Sequence, residues 1–538
     1  MILWVDEYHD DFRAHGSSGA GCFIAGLVIS VQLGTFPAME VFAYHDRGAT
    51  YPEAAPFHPQ ELYPEAPFAE LAAAPNGAYA AVRSLLALSG WDRSNFGSVD
   101  WNPLRQLVRP GDRVLLKPNL IKETHPRQPD GWKWMLTHGA IIRAVADYVV
   151  KALDGRGEII VADAPQTDSS FAAVVRVLQL DQLAAFYRSK GVTFRLIDLR
   201  KFEWDAVDDV IVARRNLAGD PFGYFTVDLG AASLFCGHRG EGKYYGADYD
   251  TAVINAHHSG RRHEYVIAGS AITCDVFINL PKMKTHKKTG VTLSLKNLVG
   301  INGDKNYLPH YTEGTPETGG DQFPRLSARS ELERRGLRRI RSLALRFPGV
   351  GPRLYRHLKR VGTGVLGSSE AVIRSGNWHG NDTCWRMCLD LNRVLLHTDK
   401  AGRLSEPSLN GCRRYLTIID GLIAGDGDGP VDVDAVAAGL LVMGTNPAET
   451  DAAAARLMGL DPGRLPMIRE AFTLDRFALA EGNWEDVNLQ SNVAAWSRRL
   501  AEIDAAETLH FRPHFGWRGH VEWQPPRVIE PSELGQWR

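Results

Sequence analysis

The sequence predicts an α/β protein of two lobes, with parallel or mixed sheets covered by helices, a basic helical insertion and a wrapped C-terminal tail. Three observations lead there. Short apolar runs alternate with helical-period runs from residue 112 onward, the pattern of a parallel sheet covered by helices. A segment at 325–361 breaks that pattern with twelve Arg or Lys against two Glu. Residues 476–538 hold Trp, Pro and His with little periodicity.

The elements follow in order. Residues 1–38 read as an N-terminal extension ahead of a second start at Met39, and their apolar stretch at 20–31 is too short to span a bilayer. Residues 39–110 read as an irregular segment with short helical patterns such as FAELAAA and AYAAVRSLLALSG. The first lobe, 111–324, opens with the strand DRVLLKPNL. The helix HGAIIRAVADYVVKAL, the strand EIIVADAP, one helix over FAAVVRVLQLDQLAAFYRSKG and the strands VTFRLIDL and DVFINLP follow. The insertion occupies 325–366. The second lobe, 367–475, contains the helix CWRMCLDLNRVLLH, a strand and glycine-rich loop in RRYLTIIDGLIAGDGDGP, the strand AAGLLVMGTNP and the helix AETDAAAARLMGL.

Composition narrows the function classes. The 538 residues are 44% hydrophobic and 23% charged with a net charge of −2, so no global field draws the chain to nucleic acid or an anionic membrane. Any such contact falls to the basic insertion, whose amphipathic pattern suits a membrane surface or an acidic protein. Nucleic acid is not an expected partner, and the chain is expected in the cytoplasm, peripheral to a membrane if the insertion docks there. Six cysteines without a C-x-x-C pair fit a reducing compartment and no internal iron–sulfur cluster. Walker A, H-E-x-x-H, G-x-S-x-G and dinucleotide-binding glycine patterns are all missing.

Ligands of open parallel sheets bind beyond the carboxyl ends of the strands, so polar residues directly after strands are the candidates. Lys117-Pro118-Asn119 forms the first cluster, and Asp163 with Thr167, Asp168, Ser169 and Ser170 the second; the serines and Asp168 equally suit helix capping. The third is Lys282, Lys284, His286, Lys287 and Lys288, followed by Lys296-Asn297. Lysines are expensive to bury unpaired, so several at a strand mouth suit a phosphate or carboxylate, or simply keep a loop wet. His286 is open to three readings: general base, metal ligand or satisfied histidine. The fourth cluster contains Asp420, Asp426, Asp428 and Asp451. An EF-hand reading of it fails because the twelfth position is Ala437.

KPNL with a following strand ending in ADAP, PKMKTHKKTGVTLSLKNLVG, and DGLIAGDGDGP followed by NPAETDAAAARLMGLDP resemble, in order and spacing, the domain of unknown function 362 family over about residues 110–475. The resemblance implies little about chemistry. Some relatives carry ferredoxin-like iron–sulfur segments, whose cysteines are missing here. The lysine and histidine arrangement is also faintly similar to nickel-pincer lactate racemases, where such residues surround a metal cofactor.

The expected function is an enzyme acting on a small anionic molecule through metal-assisted or His/Lys acid–base chemistry, isomerase-like or hydrolytic. His286, Asp163 and Lys296 are the expected catalytic residues. Lys117, Asn119, Lys282, Lys284, Asn297 and Asp426 are the expected substrate contacts, and His286 with Asp451 the expected ligands of a divalent metal. The alternatives are a scaffold docking through 325–361 and an accessory redox protein.

Overall fold

The computed structural model describes residues 40–207, 210–246, 251–325, 373, 375–405 and 413–524. The extension at 1–38 and the basic insertion from residue 326 onward lie outside the described residues.

An eleven-stranded mixed sheet carries the fold. Its strands are β1 (Glu40–His45), β2 (Arg113–Pro118), β3 (Glu158–Asp163), β4 (Phe194–Asp198), β5 (Val276–Leu280), β6 (Lys282–His286), β7 (Gly290–Thr292), β8 (Arg414–Asp428), β9 (Asp432–Val436), β10 (Leu440–Gly444) and β11 (Asn488–Ser491). The main order is β11-β1-β10-β8-β5-β2-β3-β4, with β6 and β9 pairing onto β8, and β7 onto β6. Strands β2, β3, β4, β5 and β8 run parallel, while β10 opposes β8 and β1. Strands from both expected lobes, β2 and β5 from the first and β8 and β10 from the second, thus lie side by side in one sheet.

Strand alternation divides the core into two layers. Leu115, Ile160 and Phe277 face the layer containing the helices Cys384–His397 and Pro447–Leu457. Val114, Leu116, Ile159, Val161, Val276 and Ile278 face the other, with the helices Gly77–Leu88 and Gly139–Leu153. Helices on both faces make the central strands near-continuous apolar runs, which is why RVLL, EIIVA and VFINL were legible. Local caps fix the helix starts. Asn76 accepts from Tyr79 N at 3.1 Å, and the His138 side chain accepts from Ala140 N at 3.1 Å.

Four expectations need adjustment. The 39–110 segment supplies β1, an interior strand, and the helix Gly77–Leu88, whereas FAELAAA is not helical. A six-residue strand that is half buried carries too little period to stand out. The single helix expected over 171–191 is two, Phe171–Val177 and Leu180–Ser189, broken where Gln179 turns to φ 54°. The glycine-rich loop is instead the second half of the fifteen-residue strand β8. Its glycines are there for close approach: a β-carbon on Gly421 would lie 2.7 Å from Leu440 O, and one on Gly425 2.9 Å from Trp134 O. The C-terminal tail wraps the body as expected but also supplies β11, and it buries Trp517, whose Nε1 donates to Lys287 O at 2.9 Å.

Candidate active site

The carboxyl ends of β2, β3 and β5 converge, and the loops after them enclose a cavity of about 420 Å³. Of the residues singled out from sequence, Lys117, Asn119, Asp163, His286, Lys296 and Asn297 all line it.

Its floor is a closed polar network. Lys117 Nζ meets Asp163 Oδ1 at 2.7 Å, Pro118 O at 2.9 Å and Asn297 Oδ1 at 3.0 Å, one acceptor for each hydrogen of an ammonium. Asp163 also accepts from Leu120 N at 2.7 Å and Ala164 N at 2.9 Å, so its oxygens are occupied and it positions Lys117. Asn297 donates to Asn279 Oδ1 at 2.7 Å and accepts from Asn119 Nδ2 at 2.9 Å. Gly300 runs directly over this pair: a β-carbon there would lie 1.8 Å from Asp163 Oδ1 and 2.5 Å from Lys117 Nζ.

Lys284 lies behind the cavity wall. Its amine donates to Met135 O at 2.7 Å and Asn119 Oδ1 at 3.1 Å, two acceptors for the two hydrogens of a neutral amine. Burial, followed by repulsion from Lys282 and Lys296, holds it well below the usual lysine value. Lys282 is fully buried and pairs away from the cavity with Asp420 at 3.1 Å and Tyr51 OH at 2.7 Å. Both lysines therefore support the site from behind.

Lys296 differs from the others. It is 8% exposed and lines the cavity, and its amine has no hydrogen-bond or ion-pair partner among the described residues. Among the described residues, the cavity lining holds five lysines (Lys117, Lys287, Lys288, Lys296 and Lys305) against one carboxylate, Asp163. That carboxylate is already taken by Lys117.

The His286 tautomer is set by its neighbour. Lys288 N donates to Nδ1 at 3.0 Å, so Nδ1 is an acceptor and Nε2 carries the hydrogen. Burial, then the Lys296, Lys287, Lys284 and Lys288 ammoniums, keep the ring neutral far below the usual imidazole value. His286 is thus arranged as a hydrogen-bond donor, and a metal on Nε2 would require breaking the Lys288 contact. Because the unfolded chain takes up a proton below about pH 6.5 and the folded ring does not, His286 costs stability as pH falls. Urea unfolding of His286→Asn should show a loss between pH 7 and pH 5 that is smaller than the parent's by roughly 2 kcal/mol.

Two expected site residues are engaged elsewhere. Asp426 is clamped by Arg512 of the tail, which donates from Nη2 at 2.6 Å and Nε at 3.0 Å. Asp451 is buried and accepts from Ser294 N at 2.7 Å and Leu295 N at 2.8 Å, holding the turn that presents Lys296. Burial raises its carboxyl to about 7. Among the described residues, no three His, Cys, Asp or Glu side chains gather as metal ligands, and Cys236, Cys274, Cys384 and Cys388 are free thiols.

Two lining residues escaped the sequence reading, Lys305 and His310, while Lys288 of the third cluster lines the cavity as well. Lys305 Nζ donates to Val299 O at 3.0 Å, and burial, then the Lys117, Arg200 and Lys296 charges against a partial offset from Asp163, lower it to about 7. Burial lowers Lys288 to about 8; its amine donates to Ser375 O and sits 4.6 Å from the Tyr311 ring centre. His310 donates Nδ1–H to Leu308 O at 2.8 Å, which leaves Nε2 an acceptor. The cavity thus holds one histidine fixed as donor and one fixed as acceptor. The only sequence signal for Lys305 and His310 was the density of polar groups in GDKNYLPH.

No helix among the described residues is long and apolar enough to cross a membrane. No curated protein and no solved structure gives a significant match to the chain. Residues 239–456, which include β5 to β8 and the turns carrying Lys296 and Lys305, match the family described as Domain of unknown function (DUF362), a match that supports assigning this segment to that family.

Proposed function

We propose that the cavity binds a small molecule bearing a phosphate or carboxylate and acts on it by lysine and histidine acid–base chemistry. The observation that carries this reading is Lys296, a buried lysine without a counterion among the described residues, in a cavity whose one described lining carboxylate is already paired. An unpaired buried charge is costly, and an anionic ligand supplies the missing partner. His286 Nε2–H would polarise an oxygen of the substrate, and the lysines with lowered basicity would exchange protons near neutral pH. Proton transfer at a carbon next to the anionic group, as in isomerisation or racemisation, suits this donor set.

Inorganic phosphate is the first probe. Isothermal titration should show saturable binding to the parent that Lys296→Met weakens by about tenfold or more, the loss of a charge-assisted contact. The same variant should unfold at an equal or higher urea concentration than the parent, because no protein partner of Lys296 is lost. Undiminished phosphate binding by Lys296→Met would remove the basis of this reading.

A further inference from the structure

We propose that Lys305 is the nucleophilic amine of the cavity, condensing with the carbonyl carbon of an anionic aldehyde or 2-oxo acid whose charged end pairs with Lys296. The inference rests on the anion reading above and names the substrate class for it.

The lysines of the site divide by their partners. Lys117 has three acceptors and a carboxylate, and Lys284 is closed off by two acceptors. Lys288 is tied to Ser375 O and lies against the Tyr311 ring, and Lys296 has no partner to direct its amine. Lys305 alone in this set combines 9% exposure, a position on the cavity wall and one directing bond, to Val299 O at 3.0 Å. A neutral amine in that arrangement uses one hydrogen on the carbonyl and keeps its lone pair for a ligand. Its backbone is fixed as well, since Asp304 caps the turn Lys305–Tyr307 by accepting from Asn306 N at 3.1 Å.

Burial first, and then the charges facing Lys305, explain its lowered basicity. Lys117, Arg200 and Lys296 repel its proton, and Asp163, which would hold it, is engaged by Lys117. With burial these bring Lys305 to about 7, so about half the molecules carry a free amine at neutral pH. Desolvation beside other cations is a recognised way to activate a lysine toward carbonyls.

The step balances without any further reagent. The Lys305 lone pair forms a bond to the carbonyl carbon, and the carbonyl oxygen becomes the hydroxyl of a carbinolamine. That oxygen then leaves with the two amine hydrogens as water, giving an imine. His286 Nε2–H would donate to the oxygen and His310 Nε2 would accept from the nitrogen, both rings lining the same cavity as Lys305. Protonated, the imine draws electrons from the adjacent carbon, which makes a proton there removable. A cavity of about 420 Å³ accommodates a small oxo acid.

The experiment treats the full-length protein with glyoxylate and sodium cyanoborohydride at pH 7, then maps the modified peptides by mass spectrometry. Lys305 should be alkylated about 10–100-fold faster than exposed lysines, because its neutral fraction is far larger. Excess phosphate should protect it, and Lys305→Arg should remove that adduct while phosphate still binds. Labelling confined to surface lysines, with phosphate binding intact, overturns the imine and leaves the anion site standing. Absence of phosphate binding in the parent overturns the underlying reading. The map of the parent decides the matter even if Lys305→Arg fails to fold.

Discussion

The Asp420→Ala variant is expected to lose about 3–5 kcal/mol of stability at pH 7, the cost of stranding one member of a buried ion pair. Asp420 and Lys282 have no exposed side-chain surface. The carboxylate accepts from Tyr51 OH at 2.5 Å, His138 N at 3.0 Å and Lys282 Nζ at 3.1 Å. Its removal leaves the Lys282 amine with Tyr51 OH as its one remaining acceptor. Burial already holds Lys282 below the usual lysine value, and losing Asp420 lowers it further. The unfolded chain then binds a proton that the folded chain does not, so stability rises with pH up to the unfolded lysine value of about 10.4. The deficit should therefore shrink between pH 7 and pH 9.5, read as converging urea midpoints, and adding Lys282→Met should recover much of it. A deficit that is independent of pH and unrelieved by Lys282→Met would mean that packing, and not charge, dominates at Asp420.

Gly300→Ala should be comparably severe, about 3–5 kcal/mol, and should also abolish phosphate binding. The added methyl would overlap the Asp163 carboxylate, which three donors hold in place, and would crowd the Lys117 amine. Neither group can withdraw without breaking the buried pair. The backbone is also tied, since Gly300 O accepts from Ala164 N at 2.8 Å. Asp163→Asn, which keeps the shape and removes the charge, provides the comparison. If Gly300→Ala is tolerated, the loop has room to shift and the network is softer than its contacts imply.

The parts of the site that sequence made legible are those governed by strand ends. Lys117, Asn119, Asp163, His286, Lys296 and Asn297 meet because parallel strands terminate at one edge, a consequence of topology that the alternation of elements already implied. Lys282 and Lys284 were grouped with His286 as residues at the mouth of the strand DVFINLP, but all three lie on a further strand, β6. The register of β6 against β8 shifts between Lys282 and Lys284, so alternation does not carry all three to the same side. Asp426 and Asp451 take their partners from Arg512 and from Ser294 and Leu295, 86 and about 157 positions away, and nothing local signals such pairings. Lys305 and His310 sit in an irregular loop where no period exists to be read. The His310 tautomer comes from its bond to Leu308 O and the lowered basicity of Lys305 chiefly from burial, neither of which composition reveals.

The placement of β1 has a consequence for how the chain comes to be made. Its six residues, Glu40–His45, are among the first of the described chain to be synthesised, yet both of their neighbours in the sheet come late: β10 at Leu440–Gly444 and β11 at Asn488–Ser491. At about 5–20 residues per second, roughly 20–80 seconds separate the strand from its first partner. Through that interval Val41, Phe42 and Ala43, buried in the finished protein, are without their native neighbours in the sheet. A ladder closed across some 400 positions also places a large loop-closure entropy before the reward of pairing. Completion of the sheet is thus a late event in biosynthesis, and a ribosome stalled short of Asn488 would carry a chain whose candidate active-site segments are already made while the outer edge of β1 still lacks its last partner.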